Sequence, residues 1–241
     1  MVLKERSCAV ELMDTIEVDH QTLKDVFNDI NKANFFLGGN SITLNGVTQL
    51  IDDHPKNNYT IVDMGCGDGT ILRKLALTFR KHSASFNFIG MDLNQKALDI
   101  ANANSKDYPE INYIRQDILS LQPKQFQCDI LLCTLTMHHF KNPEIIVFMD
   151  HFIKLSKIGV VINDLQRSAL ACYLFRLFSS IFIKTKIAKS DGLISIKRGF
   201  KKKELIHLSN LFPNTEHSIR WKWAFRYLWI VNTSKLREEN E

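Results

Sequence analysis

The chain has 241 residues, of which 45% are hydrophobic and 24% charged, with a formal net charge of +5. This composition is that of a globular protein and excludes a disordered chain. Because no uninterrupted apolar run reaches ~18 residues, it also excludes a membrane span. The first six residues, MVLKER, lack the apolar core of a signal peptide, and the five cysteines form no Cys-x-x-Cys pair. We therefore expect free thiols and a cytoplasmic protein, whose basic clusters form a solvated face.

Residues 1–57 are predicted to form a helical segment in front of the first strand. Apolar residues recur at helical spacing from His20 to Phe36, and Gly38-Gly39 is expected to end that helix. Ser41 is expected to cap a second helix. Two interpretations of this segment stay open, because it can pack on the core as an arm or cover the substrate as a lid.

From Thr60 onward, short apolar runs alternate with helical patterns, which predicts a parallel sheet. After Asp164 the alternation is interrupted by the strongly apolar run Ser168–Ile183, which favours a buried or substrate-covering helix over a membrane-surface helix. The predicted strands are Thr60–Met64, Phe86–Met91, Ile111–Arg115, Asp129–Leu135 and Ile158–Asn163, followed by a hairpin of His217–Phe225 and Tyr227–Val231. The predicted helices between and after them are Thr70–Lys81, Gln95–Ser105, Pro143–Ser156, Ser168–Ile183 and Lys201–Leu211, and a charged tail follows at 235–241.

A glycine-rich turn follows the first predicted strand, in the sequence Asp63-Met64-Gly65-Cys66-Gly67-Asp68-Gly69-Thr70. Glycines allow a ligand to approach the backbone closely, and the helix that follows offers free N–H groups. The dinucleotide fingerprint would need a third glycine at Thr70, and a phosphate loop would need a lysine that is not there. A turn without a ligand is the remaining alternative.

Acidic residues also end the next two strands. Asp92 follows the second strand and Asp117 the third, and parallel strands bring their carboxyl ends to one edge of the sheet. A carboxylate can accept two hydroxyl hydrogen bonds at once, as a ribose diol requires. Leu93 and Ile118 stand beside the two acids as apolar walls.

These motifs resemble those of class I S-adenosylmethionine (SAM)-dependent methyltransferases over residues 60–165. The resemblance implies a Rossmann-like α/β fold with a seven-stranded, mostly parallel sheet, helices on both faces and a helical insertion after the fifth strand. It implies a methyltransferase domain over 58–241, with SAM as cofactor and S-adenosylhomocysteine as product. Asp63 and the glycines would hold the methionine moiety, Asp92 the ribose and Asp117 the adenine. The implied cofactor site is Asp63, Gly65, Cys66, Gly67, Gly69, Asp92, Leu93, Asp117, Ile118 and Thr134.

Two adjacent histidines, His138 and His139, follow the fourth strand. One of them could be a general base, because imidazole titrates near pH ~6.5. They could instead be a structural pair that shapes the turn. We predict no metal site here, because two adjacent histidines without a nearby carboxylate or cysteine array make a poor ligand set.

The methyl acceptor is less explicit. Three segments, Asn34–Asn40, Asn163–Arg167 and Ser190–Phe200, resemble a bacterial methyltransferase group often encoded beside type III polyketide synthases. That resemblance implies a small-molecule acceptor, and O-methylation of an aromatic or lipid-like, polyketide- or quinone-type hydroxyl. A non-catalytic SAM-binding regulatory or assembly protein and an N-methyltransferase remain alternatives. A nucleic-acid partner is not expected, since the base-holding motif Asn/Asp-Pro-Pro-aromatic is missing after the fourth strand.

Overall fold

The computed structural model describes residues 3–15, 17–121 and 126–234, so the charged tail at 235–241 lies outside the described residues. Seven strands form one sheet in the order β3-β2-β1-β4-β5-β7-β6. The first five run parallel, and β7 is antiparallel to both of its neighbours, β5 and β6. The predicted seven-stranded, mostly parallel sheet is confirmed. The strands are β1 Asn58–Met64, β2 Ser85–Asp92, β3 Ile111–Arg115, β4 Cys128–Thr134, β5 Ser156–Leu165, β6 Glu216–Lys222 and β7 Arg226–Asn232.

Each predicted helix is present in the structure, and one predicted helix cap differs. Asn94 caps its helix as predicted, with its side chain accepting from Lys96 and Ala97. Ser41 does not cap a helix, because the helix that it was expected to cap begins earlier, at Gly39. The residue before it, Gly38, adopts a positive φ of 68°. The helices are α1 Leu12–Thr15, α2 His20–Phe36, α3 Gly39–Asp53, α4 Thr70–Phe79, α5 Gln95–Asn104, α6 Asn142–Leu155, α7 Ala169–Phe182, α8 Lys186–Arg198 and α9 Lys202–Ser209.

Sequence reasoning did not predict α8. Its polar and apolar residues give no clear stripe, because it packs on α7 and on the N-terminal segment rather than on a sheet. Thr185 caps its first turn, and Asp191 accepts hydrogen bonds from the backbone of Leu12 and Met13. Gly192 allows the close contact with α7, since a Cβ there would lie 2.3 Å from the Phe175 ring.

The core has two layers, one on each face of the sheet. Neighbouring residues of one strand point to opposite layers, as Ile61 and Val62 do. One layer packs β-strand side chains against α6 and α9, and the other packs them against α3 and α4. At Gly46 a Cβ would lie 2.8 Å from Val161, so this glycine lets α3 rest directly on β5. The predicted helices on both faces are confirmed.

The two N-terminal helices make different contacts. α3 contributes Val47, Leu50 and Ile51 to the core. α2 instead lies near the glycine turn, where Asn31 donates a hydrogen bond to Asp68 and the Phe27 ring faces Gly67. The division of the chain at residue 57 stays a prediction.

Helix α7 has an unusual distribution of side chains. Its buried residues are Ala171, Cys172 and Ser179, which are all small, while large apolar side chains such as Leu177 and Ile181 are exposed. Part of α7 also lines the cavity described below. None of the helices in the described ranges is long and apolar enough to cross a membrane.

Candidate functional site

A cavity of about 650 Å³ lies at the carboxyl ends of the parallel strands. This volume is in the range of pockets that bind small molecules and cofactors. Its wall includes residues from α2, α7, α8 and the turn between β6 and β7. All predicted site residues except Gly69 line it, namely Asp63, Gly65, Cys66, Gly67, Asp92, Leu93, Asp117, Ile118, Thr134, His138 and His139. The fold therefore brings the predicted residues to one place.

The turn after β1 requires glycine at three positions. Gly65, Gly67 and Gly69 all have positive φ, at 77°, 53° and 74°, a conformation that other residues adopt only at a cost. Space is also limited, because a Cβ on Gly65 would lie 2.5 Å from Thr136 and one on Gly69 would lie 1.9 Å from the Tyr113 hydroxyl. Gly69 is thus a packing residue of the turn, which explains its absence from the cavity wall.

Asp63 is a buried acid with an unsatisfied oxygen. Its side chain is 2% exposed, and its Oδ1 atom has no hydrogen-bond partner among the described residues. Burial, together with the nearby Asp92 carboxylate, raises the pKa of Asp63 to about 7. A buried acceptor without a donor is energetically unfavourable, so this oxygen fits a ligand that supplies a cationic N–H donor.

Asp92 ties the second strand to the glycine turn. Its Oδ2 accepts from the Gly67 backbone N–H at 2.9 Å, and its Oδ1 accepts from Asn94 N–H at 2.9 Å. Burial raises its pKa, while these backbone hydrogen bonds lower it, and the net change is upward. Each carboxylate oxygen keeps a second acceptor position, so Asp92 can still bind hydroxyl groups.

Asp117 and the two apolar side chains surround the far end of the cavity. Asp117 is exposed and accepts from Leu119 N–H at 3.0 Å, which begins the short 3₁₀ turn Ile118–Ser120. Ile118 is buried, whereas Leu93 is 61% exposed. An acceptor between apolar walls is suited to an adenine ring and its exocyclic amine.

Thr134 is the last residue of β4 and lines the cavity. Its hydroxyl lies 3.1 Å from that of Thr43, which in turn accepts from the Asn163 side chain at 2.9 Å. This polar chain joins α3, β4 and β5 beneath the cavity.

The two histidines have different surroundings. His138 is 2% exposed, and its Nδ1 lies 2.8 Å from Asp164 Oδ1 while its Nε2 lies 3.4 Å from Glu11 Oε1. Burial acts to lower the pKa of His138, but the Asp164 and Glu11 carboxylates outweigh it and raise that pKa to about 9. His139 is partly exposed, and its Nδ1 lies 3.0 Å from Asp14 Oδ2.

Two arginines hold the backbone of this pair. Arg6 donates to the carbonyl of His138 at 2.8 Å, and Arg198 donates to the carbonyls of both His138 and His139. The N-terminal segment and α8 therefore fix the turn after β4.

Glu11, His138 and His139 also form a group whose ligand atoms lie within 4.8 Å of one another, close enough to hold a metal ion. The prediction of no metal site assumed that no carboxylate was near, and Glu11 supplies one. Glu11 and His138 also fit an ion cluster with Asp164, in which the positive charge of His138 balances the two carboxylates.

Several residues of the wall were missed from the sequence. Glu11 and Asp14 lie about 125 residues before the histidines they approach, and Arg226 reaches the wall from β7, where it donates to Asn34 at 2.7 Å. Asp164, which contacts His138 but does not line the cavity, carried a signal, because it stands near the end of a parallel strand as Asp63 and Asp92 do.

Comparison with known proteins agrees with this geometry. Residues 61–159 match the family model of a methyltransferase domain. No curated protein sequence matches the chain.

Solved structures resemble it over most of its length. The plantazolicin methyltransferase BpumL in complex with S-adenosylhomocysteine has a TM-score of 0.65 and 15% identity, over 88% of this chain and 94% of that one. Magnesium protoporphyrin IX methyltransferase (ChlM) from Synechocystis PCC 6803 has a TM-score of 0.56 and 14% identity, over 94% and 89%. The CMeT domain of the citrinin polyketide synthase has a TM-score of 0.59 and 13% identity, over 78% and 50%. At these sequence identities, the similarity shows that the chain shares the fold of these proteins.

Proposed function

We propose that the chain transfers a methyl group from SAM to a small-molecule acceptor, because residues 61–159 match the model of a methyltransferase domain and the fold resembles that of solved methyltransferases. The observation that carries this proposal is the orphaned, buried oxygen of Asp63 beside the glycine turn. It provides the acceptor that the α-ammonium group of SAM would need, in a cavity of sufficient volume.

Each cofactor residue then has a distinct task. Asp63 accepts from the ammonium group, and the turn of Gly65 and Gly67 leaves room for the methionine moiety to contact the backbone. Asp92 accepts from the ribose hydroxyls, and Asp117 accepts from the adenine amine between Leu93 and Ile118. When bound, SAM supplies an electrophilic methyl group on a sulfonium.

The protein's part in such a reaction is mainly to place the acceptor and exclude water. The cavity wall beyond Thr134 is largely apolar, with Leu174, Phe175 and Phe178 contributed by α7. We infer an apolar acceptor, and a hydroxyl of an aromatic or lipid-like metabolite agrees best with the resemblance of the flanking segments.

A proton acceptor for that hydroxyl is available on one histidine. His138, with its pKa near 9, carries a proton at neutral pH and has no free lone pair, so its role is structural. His139 is the less buried of the two: its Nδ1 lies 3.0 Å from Asp14 Oδ2, and its Nε2 lies 3.7 Å from Glu11 Oε2, a carboxylate that would stabilise a proton taken up there. We assign the base role to His139.

Calorimetry tests the cofactor part of the proposal. The intact chain should bind SAM, and Asp92→Ala should weaken binding about 100-fold, because it removes charge-assisted hydrogen bonds to the ribose. Asp52→Ala, an exposed acid on α3, is the matched control and should bind normally. Failure of the unmodified chain to bind either SAM or S-adenosylhomocysteine would refute the proposal.

Turnover distinguishes an enzyme from a SAM-binding regulatory protein. Labelled SAM is incubated with phenols, quinones and small amines, and product is expected with the phenols. His139→Ala should bind SAM normally but lose turnover. If it keeps full turnover, His139 is not the base.

A further inference from the structure

The exposed side of α7 is an apolar surface. Five large side chains on it are 37–75% exposed and lie on one stripe of the helix, where spacings of three and four residues bring them together. These residues are Leu170, Tyr173, Leu174, Leu177 and Ile181. The fully buried residues of α7 are small, and of its large side chains Phe175 and Phe178 pack partly inward, so the helix exposes more apolar surface than an ordinary amphipathic helix in water.

The apolar surface continues onto the end of α2. The Phe36 ring lies 5.3 Å from that of Phe182 and 5.5 Å from that of Phe35, and all three rings are exposed by 42% or more. We call these eight residues, the five of α7 with Phe35, Phe36 and Phe182, the α7 face. Contiguous apolar surface of this kind marks an interaction site in most proteins.

The α7 face borders the opening of the cavity. Leu174 is exposed on the face and also lines the cavity. Trp223, on the turn between β6 and β7, is 62% exposed and lines it too. The α7 face and the cavity therefore adjoin one another through large apolar side chains.

The charged side chains of the segment that contains α7 have one sign. From Leu165 to Ser190 the sequence has five basic residues and no acidic one. Arg167 is buried against Glu204, whereas Arg176, Lys184 and Lys186 are exposed. An apolar stripe with a basic flank and an aromatic residue at its edge is the pattern of helices that lie on anionic membranes.

We propose that the α7 face binds the surface of a bilayer containing anionic lipids, with the cavity opening toward the membrane. The apolar side chains enter the region between headgroups and acyl chains, and the basic residues contact the headgroups. Resting on the proposed function, this arrangement makes the acceptor a membrane-dissolved molecule that enters the cavity laterally.

Vesicle sedimentation tests the proposal on the full chain. The protein should sediment with phosphatidylcholine vesicles that contain phosphatidylglycerol and much less with phosphatidylcholine alone. Leu177→Asp with Ile181→Asp should lower the bound fraction at least tenfold. The matched control is Leu77→Asp, which changes a leucine of the same 50% exposure on α4 and should leave binding unchanged.

The basic flank has its own variant. Arg176→Ser with Lys186→Ser should weaken binding to the anionic vesicles by about fivefold per residue, since each basic group near such a surface contributes about 1 kcal/mol. Binding to phosphatidylcholine alone should not change.

Three results would overturn the proposal. The first is no sedimentation with anionic vesicles, and the second is a loss of vesicle binding in the Leu77→Asp control as large as that in the Leu177/Ile181 variant. The third is a dimer, detected by light scattering, that does not bind vesicles and that the Leu177/Ile181 substitutions dissociate. SAM calorimetry on the same samples separates the two proposals. A chain that binds vesicles but not SAM keeps this inference and loses the proposed function.

Discussion

The two halves of the cavity are built in different ways. The cofactor half is formed by residues 63–118, and its key contact, from Gly67 N–H to Asp92, joins residues 25 positions apart. The acceptor half, whose wall includes Glu11, His138 and Arg226, depends on contacts between segments that are distant in sequence. Arg6 meets His138 across 132 positions, Glu11 meets Ser195 across 184, and Asn34 meets Arg226 across 192.

This difference separates the forces that hold the two halves. Backbone conformation and tight packing hold the cofactor half, where three glycines adopt positive φ within five residues. Buried charges hold the acceptor half, where Glu11, His138 and Asp164 are each less than 5% exposed. Substitutions in the two halves should therefore destabilise the protein by different mechanisms and by different amounts.

The largest expected effect is on the acceptor half. His138→Ala would remove the buried imidazolium that lies against both Asp164 and Glu11, and breaking a buried ion pair costs about 3–5 kcal/mol. Urea unfolding at neutral pH should show this loss of stability. His139→Ala, at a partly exposed position, should lose less than about 1 kcal/mol. Equal losses in both variants would show that the buried charges do not stabilise this half.

The same difference explains what could be predicted from the sequence. Asp63, Asp92 and Asp117 were identifiable because each follows a strand, and the parallel sheet alone determines that they meet. Glu11 gave no such signal, since its position depends on how the N-terminal segment packs on α8. A local spacing predicts a local site, but a contact across 184 positions requires the tertiary structure.

The helices, too, could be predicted where the local pattern of residues was regular. α2 shows a regular apolar stripe and was predicted with its observed bounds, whereas α8 packs on other helices through Ala188, Ser195 and Ile196 and shows no regular stripe. The apolar run of α7 predicted a helix correctly. Its composition alone did not tell which side would be exposed, because nearly all its residues are apolar.

The substitution with the next largest expected effect tests whether tight packing stabilises the cofactor half. Gly69→Ala combines a positive φ of 74° with a Cβ 1.9 Å from the Tyr113 hydroxyl, so strain and overpacking together should cost about 3 kcal/mol. Gly38→Ala is a matched control with a similar φ of 68° but no contact nearer than 3.8 Å, and should cost about 1 kcal/mol. Unfolding by urea measures both.

A second substitution refines this comparison. Tyr113→Phe removes the hydroxyl that a Cβ at position 69 would meet first, so it should restore part of the stability lost in Gly69→Ala. If Gly38→Ala and Gly69→Ala lose equal stability, backbone conformation alone, without packing, accounts for the glycines.

The smallest effect concerns the charge of Asp63, the one buried acid of the cofactor half whose oxygen lacks a partner in the described chain. Its pKa of about 7 lies above that of a free carboxyl, so the carboxylate forms only as the pH rises through 7. If SAM binds the ionised form, its affinity should be about tenfold lower at pH 6 than at pH 8. Calorimetry at the two pH values measures this ratio.

Asp63→Asn provides the control, because an amide cannot ionise. The variant should bind SAM weakly at both pH values, with most of the pH dependence gone. A variant that keeps the full tenfold dependence would assign the titration to another group, and the buried oxygen would then not be the site of the ammonium. Such a result would leave the backbone of the glycine turn, rather than a buried charge, as the feature that determines cofactor binding in this half.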